Sequence, residues 1–490
     1  MGPLARRAHG LYHGPILRQG PIWSQGIMGS AMSNQPGFEI DRSQRRLGPI
    51  WLSPGIAPAN VLALFFAGMM TIVFVTGIGV LTPYLLAEHI KMPTSEQGDF
   101  IGTLTVYVEI MAIALVIPLG SLSDKLGRVP LWVTAFTLIA IACVLLPAAR
   151  TPEMFMLGRI LLGAGLAMGT LMLGTVMADY PQNASRGKII SINGFITGFG
   201  VVVIAAIGFS KLPGYFAGEG FDAIKSGTYT FWVIAGVATA AALITSVGLK
   251  DGRPNKTEEK DPFLINLRNG YDETKRNPRL SIAGVAYFVS RGDLIVMTTF
   301  LTLWIVAVGT DAGVEAKDAT ATAGRIFAVS QTAMLLFMPV MGFLVDRFDR
   351  VSVLSFSMAV AAVGYFALGI VGDPFSSPFI FPVAIMAGAG EACILVSGPA
   401  LVGQEAPGKF RGAVFGMMGF CGALGVLIHS KVCGMLFDGF TYQTPFLYMA
   451  GLNALVGIGA LLVRLKTGAI AGPNAGSNTS KVEAPVPAVE

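Results

Sequence analysis

Five charged residues stand inside long apolar runs: Glu109, Arg159, Arg291, Asp293 and Glu391. A charge at the centre of a bilayer costs at least about 2.5–3.5 kcal/mol, so it usually faces a cavity and carries a partner. Arginine suits the binding of a polar or anionic solute, and a carboxyl suits the carriage of a proton. Arg291 and Asp293 are two positions apart, so on one helix they point to different faces and do not neutralise each other. Each then needs a partner from another helix or from a ligand. Arg291 shares a helical stripe with Gly284, Tyr287 and Thr298, a polar line suited to a water-filled path. Arg291 is therefore the candidate for holding an anionic or polar substrate group, with Tyr287 beside it. Asp293 or Glu391 is the candidate proton carrier. Glu109 and Arg159 are expected to pair with each other. For every one of these charges the competing reading is a fixed structural salt bridge. Cys143, Cys393, Cys421 and Cys433 lie apart in apolar runs without CxxC spacing, and His9 and His13 belong to a terminal tail. No metal site and no cofactor is expected.

The elements that must position these charges are helices in lipid. Of 490 residues, 53% are hydrophobic and 13% charged, with mean hydropathy +0.65. A soluble domain carries about 25% charged residues. A spanning helix needs about 20 mostly apolar residues. Twelve such runs lie near 59–86, 98–120, 130–149, 154–178, 188–210, 228–249, 280–308, 321–345, 350–371, 378–403, 411–436 and 444–465. Thr151, Pro152 and Glu153 supply an N-cap, a proline at N1 and a first-turn acid for the fourth run. With the N-terminus in the cytoplasm, only Lys91, Arg150, Lys211, Lys225, Lys317, Arg325 and Lys431 fall in outer loops. The other basic residues outside the helices collect in the tails and cytoplasmic loops, as the positive-inside rule requires. The net charge of +5 belongs to those loops and implies no nucleic-acid partner. Residues 1–58 and 467–490 read as disordered cytoplasmic tails. Residues 59–249 and 280–466 read as two six-helix bundles joined by a polar cytoplasmic linker, 250–279.

The halves repeat one another. GSLSDKLGR, Gly120 to Arg128, joins the second and third runs, and GFLVDRFDR, Gly342 to Arg350, joins the eighth and ninth. Asp179 with Pro181, then Arg186 and Gly187, are matched by Glu405 with Pro407, then Arg411 and Gly412. In the first copy Gly127 permits a sharp turn. Asp124 can cap a neighbouring helix start, where the dipole favours an anion. Arg128 can pair with an acid at a nearby helix end, for which Asp179 is the candidate. Asp346, Arg350 and Glu405 hold the equivalent places, although Asp349 replaces the turn glycine. The plainer alternative is a solvated charged turn.

The first loop matches every fixed position of G-x-L-x-D-x-x-G-R, the signature of the major facilitator superfamily between helices 2 and 3. Arg159, Gly163, Gly165 and Ala167 resemble that family's second motif. The proline-containing glycine motif of many drug/proton antiporters is missing from the fifth run, where Gly194, Gly198 and Gly200 stand without proline. The resemblance covers roughly residues 59–466. It implies an all-α membrane protein of twelve transmembrane helices, built as two parallel six-helix repeats around a central cavity lined by helices 1, 4, 7 and 10. Four of the five internal charges fall on those helices. It also implies that Gly120, Asp124, Gly127, Arg128 and Asp179, with Asp346, Arg350 and Glu405, latch the halves in an outward-open state.

The expected function is secondary transport of a small organic solute, an organic anion being favoured by Arg159 and Arg291, through alternating access coupled to protons. A proton-antiport efflux pump for amphipathic compounds is the alternative, and a membrane sensor that moves nothing comes from a different class. An enzyme would need clustered acids or histidines at a membrane face, and none is evident. The expected setting is the plasma membrane, or the inner membrane of a bacterium, as a monomer with both termini cytoplasmic.

Overall fold

The structure, a computed structural model, describes residues 40–251 and 263–469. Among the described residues twelve helices are long and apolar enough to cross a membrane. The first six are α1 (Pro58–Ile90), α2 (Thr94–Leu126), α3 (Arg128–Ala148), α4 (Pro152–Asp179), α5 (Arg186–Gly218) and α6 (Ala223–Gly248). The second six are α7 (Pro278–Asp311), α8 (Ala316–Arg347), α9 (Arg350–Ile370), α10 (Ile380–Glu405), α11 (Arg411–Gly439) and α12 (Thr444–Thr467). Side-chain caps fix several starts. Thr151 accepts from the Met154 N–H at 3.3 Å, Asp222 from Lys225 at 2.8 Å, and Asp349 from Ser352 at 2.9 Å. Each satisfies one of the donors that a first helical turn leaves free.

The two bundles repeat one packing plan. α3 packs on α4 and α6, and α9 packs on α10 and α12. The halves meet where α2 crosses α11 and where α5 crosses α8, with α1 also touching α7 and α8. The α2–α11 crossing is close enough to need glycine, since a Cβ on Gly102 would lie 2.5 Å from the Ser430 carbonyl oxygen. Small residues of this kind let membrane helices approach without a hydrophobic driving force. Both α5 and α7 contain wide π-helical turns, Val201–Phe209 and Val296–Phe300. Such turns often accompany functional sites.

Two regions differ from the sequence reading or lie partly beyond description. The tail expected to be disordered through residue 58 is packed from residue 40 onward. A short hairpin pairs Arg46–Leu47 with Ile50–Trp51 and lies on the α4–α5 loop. The Ser53 N–H donates to the Tyr180 carbonyl at 2.8 Å, and the Gln182 N–H to the Trp51 carbonyl at 2.9 Å. Ile50 and Leu52 are buried, so apolar side chains and paired backbone groups hold this strap in place. Burial also pushes the Tyr180 phenol up to about 12, so its hydroxyl stays protonated and donates to the Lys250 carbonyl at 2.8 Å. Residues 1–39, 252–262 and 470–490 lie outside the described residues. The remainder of the linker carries a helix, Phe263–Arg276, packed on α11.

Candidate transport site

α7 sends its two charges in opposite directions. Arg291 is exposed, with its side chain crossing α11 at Gly422. It makes no hydrogen bond or direct ion pair among the described residues. The charge it acts on through space is Glu109, from α2 of the other half. Tyr287, one turn earlier on α7, lies against Gly398 of α10 and within the electrostatic reach of Arg291. The structure therefore brings Glu109, Arg291 and Tyr287 to one region, with contributions from both halves.

Asp293 points the other way, into the interior of the second bundle, and is 1% exposed. Asn453 of α12 donates to its Oδ1 at 2.7 Å, while Oδ2 has no hydrogen-bond partner. Glu391 of α10, 7% exposed, accepts from Gln331 of α8 at 3.1 Å. The charges of Asp293 and Glu391 both reach Tyr365 of α9, whose buried hydroxyl has no partner, and that of Glu391 reaches Asp293. His429 of α11 shares a 3.0 Å hydrogen bond with the Tyr448 hydroxyl and packs edge-on against Phe288. All six helices of the second bundle thus contribute a buried or half-buried polar group to its interior. Unpartnered polar atoms at such depth are costly, about 1–3 kcal/mol each.

Three sequence expectations need correction. Glu109 and Arg159 do not pair. Arg159 Nε is buried without a partner, and the titratable neighbour that senses Arg159 is Cys143 of α3, not an acid. Asp293 and Glu391 do not line the space between halves, because their faces of α7 and α10 look into their own bundle. The second-half loop also does not copy the first. Arg350 donates to the Ala400 carbonyl at 2.7 Å, while Glu405 is held by Asn277 at 3.0 Å and Arg279 at 3.2 Å. Asp349, standing where the first copy has Gly127, caps α9 and lies 3.8 Å from Arg279. Asp346 is exposed and makes no hydrogen bond or ion pair among the described residues.

In the first-half loop, Gly127 has φ of 97°, a conformation that favours glycine, and Gly120 faces open space. Arg128 Nε donates to Asp179 at 3.1 Å, and Nη1 donates to the Ser123 carbonyl at 2.9 Å. The Asp124 side chain lies outside the described residues. The acid seen at the start of α3 is Asp251, which accepts from the Val129 N–H at 2.8 Å.

A further set of residues was not foreseen. At the end of the bundle opposite the termini, Lys431 of α11 donates to Asp99 of α2 at 2.5 Å and to Thr103 at 2.9 Å. Asp438 accepts from the Gly98 and Asp99 N–H groups at 2.9 and 2.6 Å. Thr94 donates to Asp311 at 3.2 Å. Among the described residues, the hydrogen bonds that cross between halves all sit at this end. Lys431 and Asp99 were readable only as loop charges. Their pairing joins positions 332 residues apart, which no local spacing reveals.

The family model of the Major Facilitator Superfamily matches residues 64–318 and 285–488. The chain belongs to this superfamily. Its members are transporters, so the twelve helices form a multi-pass membrane carrier of small solutes, not an enzyme. The chain is 25% identical over 407 residues to the magnetosome protein MamH of Paramagnetospirillum magneticum, covering 81% of this chain and 91% of that protein. It is 28% identical to the magnetosome protein MamZ of Magnetospirillum gryphiswaldense over 78% of this chain, and spans 58% of that relative's length. It is 25% identical to a protein named probable nitrate transporter NarT of Staphylococcus haemolyticus, over 73% of this chain and 85% of the relative. Among solved structures, a mutant of the nucleoside transporter NupG superposes with a TM-score of 0.66 at 19% identity, covering 82% of this chain and 99% of that one. That likeness establishes the fold.

Proposed function

We propose that this superfamily member moves a small anion by alternating access and couples that movement to protons. The observation that carries the reading is Arg291, a cation between the halves with no direct ion-pair partner. An unpaired cation on a helix that lines the path between the halves invites an opposite charge from the cargo. Glu109, contributed by the other half, places an anion opposite the same cation, so cargo binding and the approach of the halves compete or cooperate at one point. Similarity to a protein named as a nitrate transporter supports a small anion and extends the candidates from organic acids to inorganic ones. Asp293 and Glu391, buried inside the second bundle, are the groups proposed to take up and release the proton.

The orientation follows from the basic loops. Both termini face the cytoplasm of the plasma membrane, so the Asp99–Lys431 end faces outward. With the cross-half hydrogen bonds collected there, the conformation is read as closed outside and open toward the cytoplasm. The test is flux in proteoliposomes with a panel of nitrate, small carboxylates, sugars and lipophilic cations, with and without a pH gradient. Anion uptake that responds to the gradient and falls in Arg291→Gln is expected. Uptake of anions unchanged by Arg291→Gln, or efflux confined to lipophilic cations, would overturn the reading.

A further inference from the structure

A cleft of about 540 Å³ runs between α5, α8 and α10, and neither Arg291 nor the polar groups just described inside the second bundle line it. Val202 and Ile207 of α5, Val329 and Leu336 of α8, and Ile385 of α10 contribute apolar walls. The hydroxyl of Thr332, which also lines it, is spent on the Ala328 carbonyl at 2.7 Å. The cleft therefore offers almost no polar partner along its length. Its volume is that of a single ligand of moderate size, within the usual ~300–1,000 Å³.

The chemistry is confined to one end. Lys211 and Arg325 border the cleft there, next to the point where α5 and α8 touch at Ser210 and Gly324. Both cations are exposed. Arg325 donates to Thr322 on its own helix at 2.9 Å, and Lys211 makes no hydrogen bond or ion pair among the described residues. Two cations at the mouth of an apolar groove suit an amphiphile with an anionic head and a hydrocarbon chain. Leu336 and Phe337 leave the cleft open sideways, on a helix face that a spanning protein turns to the bilayer. The occupant thus arrives from the lipid and not from the aqueous path.

We infer that this cleft holds an anionic phospholipid of the surrounding bilayer. Its phosphate sits between Lys211 and Arg325, and one acyl chain lies along α5, α8 and α10. The two cations come from different halves, Lys211 from the first and Arg325 from the second. A bound phosphate therefore ties the halves together at the same end as the Asp99–Lys431 pair. Because a ligand shifts an equilibrium only by its differential affinity for the two states, this lipid favours the conformer closed at that end. The inference does not rest on the identity of the cargo.

The experiment reconstitutes the full chain in vesicles of equimolar phosphatidylglycerol and phosphatidylcholine. Lipid retained per protein is then read by native mass spectrometry. Wild type is expected to keep phosphatidylglycerol in preference to phosphatidylcholine. The preference should fall about thirtyfold in Lys211→Gln/Arg325→Gln, the scale expected for two basic residues acting on an anionic lipid. Thr332→Phe, which fills the groove and leaves both charges, should reduce retention of phosphatidylglycerol as well. Thermal unfolding of both variants in phosphatidylcholine vesicles verifies that they are folded. Equal retention of the two lipids by wild type overturns the inference, as does an unchanged preference in both variants. Displacement of the retained lipid by a transported solute would make the cleft a cargo route and also overturn it.

Discussion

The first and second bundles share a plan and differ in what they bury. Inside the first, Trp132 donates to Thr71 at 3.1 Å, and Thr71 to its own helix at 2.8 Å. Arg159 Nε, His89 Nε2 and Asn193 Oδ1 are buried there without a partner, but no Asp or Glu is buried among its described residues. The second contains Asp293 with Asn453, Glu391 with Gln331, and His429 with Tyr448, several of them left with an unpartnered atom. The duplicated sequence has kept the scaffold in both halves, while among the described residues the buried carboxyls have collected in one. Alternating access needs two bodies that repeat in shape. It does not need them to repeat in charge.

The ends of the bundles nearest the termini show the same asymmetry. Arg128 and Asp179 form a pair in which the acid is partly exposed. Arg279, as buried as Arg128, is shared among Glu405, Thr467, the Gly468 carbonyl and Asp349, and its two acids are themselves nearly buried. Breaking a buried pair by removing one partner costs about 3–5 kcal/mol, because a charge remains buried and uncompensated. Arg279→Gln is therefore expected to lower the thermal midpoint in detergent far more than Arg128→Gln. Equal losses in the two variants would remove the distinction between the ends.

The two arginines inside helices offer a second comparison. A hydrogen bond to a charged group is worth about 1.5–3 kcal/mol, roughly ten- to hundredfold in binding. Arg291→Gln should reduce anion flux on that scale, whereas Arg159→Gln, with its guanidinium packed inside the first bundle near Cys143, should stay within about tenfold. Similar losses in the two variants would mean that both arginines meet the cargo. The smallest effect is expected at the opposite end of the molecule. Lys431 and Asp99 are 39% and 47% exposed, and an exposed pair is worth at most about 1 kcal/mol. Asp99→Asn should shift the balance of conformers by no more than about fivefold, read as accessibility of a cysteine introduced on the outer end of α2. A change of a hundredfold would make this pair the principal lock.

Much of this fold was legible because lipid imposes a length and a composition on every span. The contact between Arg128 and Asp179 was also readable, since both lie at helix ends on one side of the membrane and carry opposite charge. The opposed directions of Arg291 and Asp293 followed from helical geometry alone. Their partners did not. In a soluble helix the apolar stripe identifies the inward face, but α4, α7 and α10 are apolar all round, so the face of a lone charge has no sequence marker. That is why Glu109 was matched with Arg159, and why Asp293 was expected beside the cavity and not against Asn453. The strap at residues 40–57 was hidden by the composition of the tail around it. Its signal is the run Ile50, Trp51 and Leu52 after Gly48 and Pro49, an apolar triplet behind a turn.

In the transport cycle proposed above, the buried acids of the second bundle carry the proton while the space between halves carries the cargo. Asp293→Asn keeps the size of the side chain and removes its titration. In proteoliposomes, this variant is expected to exchange labelled for unlabelled anion at close to the wild-type rate and to lose accumulation driven by a pH gradient. Accumulation that survives in Asp293→Asn, and also in Asp293→Asn/Glu391→Gln, would contradict the account directly.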